Sequence, residues 1–430
     1  MVYIVYMFQS FFRKIKLILS DRGLVTKLVF VLIMFIVLRF LTTVPLPGID
    51  TAALTKFLNN NQLFAFLNIF SGGGLTAMSI VALGVGPYIT SSIILQLLTM
   101  VIPRLKELYH ESGEQGRQNF SQYSRYLTVV FAFIQGFGII SILKSQGIFV
   151  ETSSLVVIQN IIVLMGGSFL TLWIADLISE FGIGNGASMV IFLGIVATIP
   201  KHFSQALFSY EPTQLFTYAG VVISIVAMLW LTVAINEAER RVPVTYTKQS
   251  RNGITTGGAD THIPLKLTLA GVMPIIFAGS LLTLPQIIAQ FATVSNSSLL
   301  QTIGNGLTRF QNNQLAYGIV YFVLVFLFTY FYAAVTFDTT ATADRLQKGG
   351  AFIPNVRPGT ATAEFLGVIL SRITLYGGFF LATIAVLPLI LQNVTGNSSF
   401  AIGGTSILIA VSVVIDLIKK LSAQADMREY

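Results

Sequence analysis

The stretch LNIFSGGGLTAMSIVALGVGPYITSSIILQLL, residues 67–98, sets an apolar but glycine-rich run directly before one long enough to cross a bilayer. A spanning helix needs about 20 mainly apolar residues. Residues 78–102 supply them, whereas residues 67–76 are too few and too rich in glycine. An apolar segment that cannot cross is predicted to be re-entrant or half-inserted. It must be sheltered by protein, because lipid cannot satisfy its backbone. Outward from this pair the same reading finds nine more candidates, near residues 24–44, 125–143, 155–178, 186–200, 215–235, 266–290, 315–336, 366–391 and 400–418, of which 186–200 is short and leaves its start open. The expected fold class is an all-α polytopic membrane protein with ten transmembrane helices.

Composition excludes the soluble alternatives. Of 430 residues, 54% are hydrophobic and only 10% are charged, against about 25% charged in an ordinary soluble protein. Mean hydropathy is +0.77. A soluble fold of this length would expose far too much apolar surface. The absence of cysteine rules out disulfides, thiolate metal sites and a cysteine nucleophile.

The net charge of +8 would ordinarily raise nucleic acid as a partner. In a membrane chain it reflects basic loops on the cytoplasmic side. Sorted by loop, twenty-one Lys and Arg residues fall on the side of the two termini and four on the other, with Arg39 inside the first span. Both termini are thus expected in the cytoplasm. Residues 1–20 are apolar first and basic after, through Arg13, Lys14 and Lys16, the reverse of a signal peptide. They read as an interfacial amphipathic segment.

Ten spans divide five and five around an outer hinge loop at 201–214. An odd number in each half inverts the second half (215–418) relative to the first (21–200), as in inverted-repeat transporters; residues 419–430 form a cytoplasmic tail. Two long polar cytoplasmic loops, 237–265 and 337–364, read as paired protrusions for a cytosolic partner, with simple solvated loops as the alternative.

Enzyme signals are poor. The chain has no GxxxxGK[ST], HExxH or GxSxG. His110, His202 and His262 are scattered over loops, so no metal site is expected. GIGNGA (182–187) fits a dinucleotide fingerprint formally, but it follows a spanning helix rather than a strand and reads as an interhelical turn. No cofactor is expected.

Longer strings carry a resemblance. Residues 67–98, SGEQGRQNFSQYSRY (112–126), ISEFGIGNGASMVIFLGIVATIP (178–200), THIPLKLTLAGVMPIIFAGSLLTLP (261–285), TADRLQKGGAFIPNVRPGTATAEFL (342–366) and FAIGGTSILIAVSVVIDLI (400–418) resemble the SecY family of bacterial protein-conducting channels. The blocks occur in family order and cover nearly the whole chain. The resemblance implies two inverted five-helix halves around an hourglass pore in the plasma membrane, with a lateral gate between the second/third and seventh/eighth spans. Unfolded secretory polypeptides would cross through the pore, and membrane helices would leave through the gate. Implied partners are SecE and SecG, the SecA motor ATPase, the ribosome, signal peptides, nascent chains and the lipid bilayer.

Residue by residue, the resemblance implies a pore ring of Ile89, Ile93, Ile191, Ile195, Ile276 and Ile409. It implies a plug of Asn68, Ile69, Phe70, Ser71, Gly72, Gly73, Gly74, Leu75 and Thr76. Gln96 and Thr268 match lateral-gate positions, although the family often has Asn where this chain has Thr268. Arg357, in NVRPG, matches a loop arginine that engages the motor or ribosome. Where many relatives carry adjacent arginines near the tip of the loop after the sixth span, this chain has Gly253 and Ile254, with Lys248 and Arg251 just upstream. Those two are the expected partner contacts there. The competing class is a secondary transporter of small solutes. A midplane acidic cluster would favour it, and Asp176, Glu180, Asp338 and Asp416 instead fall near cytoplasmic ends of spans.

Overall fold

A computed structural model describes residues 21–50, 53–54, 71–110, 113–149, 153–208, 215–246, 249–251, 254–256, 260–269, 271–294, 298–395 and 399–426. The expected interfacial segment 1–20 lies outside them. A helix lies within each of the ten stretches expected to span, although not always over its full length. Among the described residues, five helical segments are long and apolar enough by themselves: Arg22–Leu41, Gln118–Ser145, Ser154–Phe181, Gln314–Lys348 and Thr360–Ile390. Shorter apolar helices cover Gly186–Pro200, Ile223–Glu237 and Met273–Leu282.

The chain divides into two compact units, one of residues 1–216, 280–313 and 396–430, the other of 217–279 and 314–395. In the first unit, α1 (Arg22–Leu41) is N-capped by Asp21, whose Oδ1 accepts from Gly23 N at 2.8 Å. It packs on α5 (Ser154–Phe181). The second expected span becomes helix only at Gly86, as α2 (Gly86–Val101), with Pro87 in its first turn where a missing N–H is harmless. After the short α3 (Pro103–His110) comes α4 (Gly113–Ser145).

Small polar residues join α2 to α4. Ser91 Oγ donates to Ser124 O at 2.9 Å and lies 2.9 Å from Thr128 Oγ1, and Gln135 Nε2 donates to Thr90 Oγ1 at 3.3 Å. Such contacts bring helix backbones close where lipid provides no hydrophobic drive. α6 (Gly186–Phe208) packs on α5 and on α13 (Ser399–Asp426). GIGNGA is the turn between α5 and α6: Gly184 has φ 95°, and Gly186 N donates to Ser179 Oγ at 2.8 Å. α6 also continues through Pro200 to Phe208, so the first part of the expected 201–214 loop is helical.

In the second unit, α7 (Leu215–Glu237) leads into strands the hydropathy reading did not anticipate. β1 (Glu239–Tyr246) pairs antiparallel with β4 (Asp260–Lys266) from Glu239↔Lys266 to Thr245↔Asp260. It also pairs with β5 (Ala351–Phe352), giving the sheet order β4-β1-β5. The expected start of the seventh span at 266 therefore moves: residues 260–266 are strand and α8 runs from Met273 to Val294. β2 (Gln249–Arg251) and β3 (Ile254–Thr256) form a separate hairpin. The helical membrane class stands, with this small sheet added to it.

Val242 and Val244 alternate with exposed Arg241 and Pro243, the period of a half-buried strand. With Leu265, Ala351, Ile353 and Leu366 they form a compact core. α9 (Ser298–Asn312) follows α8, and α10 (Gln314–Thr336) packs along α12 (Thr360–Thr395). α11 (Thr339–Lys348) is N-capped by Asp338, which accepts from Thr340 N and Ala341 N; such a cap contributes about 1 kcal/mol.

Candidate functional site

Ser71–Leu75 of the glycine-rich segment are buried, and residues 71–85 form successive turns leading to α2. Asn68, Ile69 and Phe70 lie outside the described residues. Gly72 and Gly73 take φ 65° and 89°, a region that costs residues with a Cβ. The segment satisfies much of its own backbone. Leu75 N donates to Ser71 Oγ at 3.1 Å, Thr76 Oγ1 to Gly73 O at 2.8 Å and Ser79 N to Gly74 O at 2.9 Å. Residues 44–46 add Leu46 N to Met78 O and Ile80 N to Val44 O, both 3.0 Å.

Its surroundings are specific. A Cβ on Gly72 would sit 3.5 Å from Leu38 Cδ2 of α1 and 3.8 Å from Val190 Cγ1 of α6, and one on Gly73 would sit 3.3 Å from Arg39 Nη1. The exit of the segment is pressed onto α5: a Cβ on Gly167 would lie 1.8 Å from Ile80 O, while Ser168 Oγ donates to Gly84 O at 2.8 Å. Leu75, Met78 and Leu83 join the core formed with Ile139, Ile140, Leu143 and Leu164.

All six ring candidates are buried, between 0% and 6% exposed. Ile89 and Ile93 lie four apart on α2 and Ile191 and Ile195 four apart on α6, so each pair shares a helix face. α6 and α13 are packed neighbours, which brings the helices of Ile191, Ile195 and Ile409 side by side. Ile276, near the start of α8, belongs to the other unit.

The gate candidates differ in character. Gln96 Nε2 donates to Ser92 Oγ of its own helix at 3.3 Å, while its Oε1 is buried and makes no hydrogen bond among the described residues. Thr268 is not on a helix. It lies in the connector from β4 to α8, where its Oγ1 donates to Asn236 Oδ1 of α7 at 3.0 Å. Asn236 as its partner was not foreseen. The neighbouring Leu267 carbonyl would lie 2.2 Å from a Cβ on Gly377 of α12, so the connector crosses that helix in backbone contact.

Arg357 is exposed on a loop held at both ends. Ile353 is buried and Val356 packs on the sheet core; Thr362 Oγ1 donates to Arg357 O at 2.8 Å, and Asn355 and Gly359 take φ 66° and 97°. The same unit exposes Arg240 and Arg241 on β1, with Arg241 Nε 2.8 Å from Glu239 Oε1, and Arg345 and Lys348 in the last turn of α11. The two polar loops, read from the sequence as paired protrusions, are joined by β1–β5 pairing. Lys248 lies outside the described residues, and Arg251 closes β2 opposite Ile254. The hairpin's sequence signal was Asn252-Gly253, the dipeptide favoured in two-residue strand connections. Among the described residues no group of three His, Cys, Asp or Glu could hold a metal ion.

Residues 79–418 match the SecY family. The chain is 38% identical over 424 residues to the protein translocase subunit SecY of Streptomyces galbus, covering 94% of this chain and 95% of that protein. It is 38% identical over 407 residues to the corresponding subunit of Pyropia yezoensis, covering 94% and 97%. Among solved structures, a protein-conducting channel superposes with a TM-score of 0.64 at 18% identity, over 93% of this chain and 92% of that one. A second, described as Sec61 in a canine ribosome–channel complex, gives 0.58 at 16% identity over the same shares.

Proposed function

The chain belongs to the SecY family, and on that premise we propose that it is the channel subunit through which unfolded secretory polypeptides cross the membrane. Membrane helices leave it sideways through a gate that includes Gln96 and Thr268. Ten helices in two inverted halves, residues 21–200 and 215–418, span a bacterial plasma membrane with both termini in the cytoplasm. The six isoleucines form the pore constriction. Their aliphatic side chains offer no hydrogen bonds to water or ions, so a narrow ring of them gates by dewetting, and stiff χ1 torsions keep it defined.

The observation that carries this reading is the seating of Gly72 between Leu38 of α1 and Val190 of α6, one residue before Ile191. A buried, largely self-bonded glycine turn against the helix of two ring residues suits a plug that can leave and return. Deleting residues 68–76 is expected to leave a chain that inserts, because no span is lost. It should leak ions at rest and accept defective signal sequences. Planar-bilayer conductance unchanged by the deletion would refute the plug.

Energy comes from a partner, either SecA with ATP or the translating ribosome; SecE and SecG complete the complex. Arg357, on its anchored loop, makes the bidentate contact that lysine reproduces poorly, and Lys248 and Arg251 act beside it. Arg357→Glu should lower partner-driven transport about tenfold, equivalent to about 1.4 kcal/mol of binding. Folding should be unaffected because the side chain is exposed. Normal transport by Arg357→Glu in reconstituted vesicles would remove the assignment.

A further inference from the structure

Between α8 and α10 lies α9, a helix that neither the hydropathy reading nor the channel mechanism uses. Its 15 residues extend about 22 Å at 1.5 Å per residue, too short to cross a hydrocarbon core of about 30 Å. Leu299, Ile303, Leu307 and Phe310 are spaced four, four and three apart, which places them on one stripe, with Leu300 at its border. Gln301, Asn305, Thr308 and Arg309 fall on the remaining circumference. The N-terminal part of the stripe faces outward, with Leu299 76% exposed, Leu300 45% and Ile303 54%, while Leu307 and Phe310 are half-buried.

We propose that α9 lies in the plane of the bilayer interface, with this stripe in the boundary between headgroups and acyl chains. Three observations choose lipid as the occupant. First, only Asn313 separates α9 from α10, a helix long and apolar enough to span, so α9 is tethered where a span leaves the membrane. Second, α8 ends at Val294 and α9 begins at Ser298, so only three residues of chain join them. Third, the polar side carries an exposed Arg309 in the last turn. There it reaches headgroup phosphates while its aliphatic stem stays over apolar surface. An amphipathic helix of low net hydrophobicity with an outward apolar stripe is the form that binds such an interface. The inference rests only on α10 being a membrane span and holds whether or not the chain conducts polypeptides.

The chain has no native cysteine, so single cysteines report one site each. Ile303→Cys, Leu299→Cys and Asn305→Cys would be labelled with a fluorophore in the full chain, reconstituted with its partner subunits in phosphatidylcholine–phosphatidylglycerol vesicles. At 303 and 299, lipids with a nitroxide near the glycerol end should quench several-fold more than lipids with one at mid-chain, and aqueous iodide should quench little. At 305 iodide should dominate. Equal iodide quenching at 303 and 305 would overturn the proposal by placing the stripe in water. Protection at 303 and 299 from every quencher would overturn it by placing a protein partner or second copy there. Stronger mid-chain than glycerol-end quenching would overturn it by burying the helix in the core.

Discussion

Replacing Ile191 and Ile195 together by serine raises the resting ion conductance of the reconstituted channel on the order of tenfold, equivalent to lowering the barrier by about 1.4 kcal/mol. Two hydroxyls on one face of α6 would supply hydrogen bonds to water where the proposed isoleucine constriction supplies none, so the gap should wet. Both side chains are 1% exposed, and the substitution exposes no polar group to lipid; expression and insertion should stay normal. Leaving both isoleucines and replacing Val196, an exposed residue of the same helix, should change conductance little. Crosslinking adds a second readout. Cysteine at 89, 93, 191, 195, 276 or 409 should couple to a translocating chain arrested in passage, whereas cysteine at Ile94 should couple far less. Six unreactive ring positions beside a reactive control site would sink the assignment. A solute transporter predicts that outcome, with effects on solute uptake instead.

Gly167→Ala should be among the most destabilising single changes in the first unit. Its Cβ would lie 1.8 Å from Ile80 O, 2.6 Å from Ile80 C and 3.2 Å from Val81 Cα. These are backbone atoms and cannot rotate away. Ser168 Oγ bonded to Gly84 O holds the same loop against α5, so relief requires moving the turns that carry the proposed plug. Overpacking of this kind costs typically 1–3 kcal/mol, occasionally more, and here about 3 kcal/mol or above is expected. The adjacent Gly166 has nothing within 4 Å of an added Cβ. Gly166→Ala should therefore be neutral or stabilise, by up to about 1 kcal/mol from helix propensity. Thermal unfolding in detergent tests the pair, and similar midpoints for the two variants would show that α5 and the Ile80 turn do not pack this closely. A leakier Gly167→Ala channel would also link this contact to the plug.

The two glycines mark a limit of sequence reading. Gly166 and Gly167 are adjacent residues of one type in one apolar stretch, and it is the position of Ile80 that gives them opposite expectations. Thr268 makes a similar point. Read by hydropathy it lay within a span, but Ile263, Leu265 and Leu267 alternate with His262, Pro264 and Lys266 as a strand does, and β4 occupies that stretch as far as Lys266. The alternation was visible, yet the apolar run beyond it dominated a 20-residue window. α9 escapes a hydropathy window for the opposite reason: its apolar residues are too few to raise mean hydropathy, although their spacing marks one face.

By itself the sequence determined the membrane class, the stretches that became helices, the glycine-rich segment unfit to cross, and the family. All of these are sums or strings along contiguous residues, and transfer of a side chain from water to lipid depends little on distant neighbours. Tertiary structure alone decided that Gly167 and Gly377 meet backbone, that Thr268 bonds Asn236, and that β1 and β5 join two loops about a hundred residues apart in sequence. Such contacts depend on which distant segments meet and at what register, and a difference of an ångström reverses their sign. Local composition carries no record of that distance.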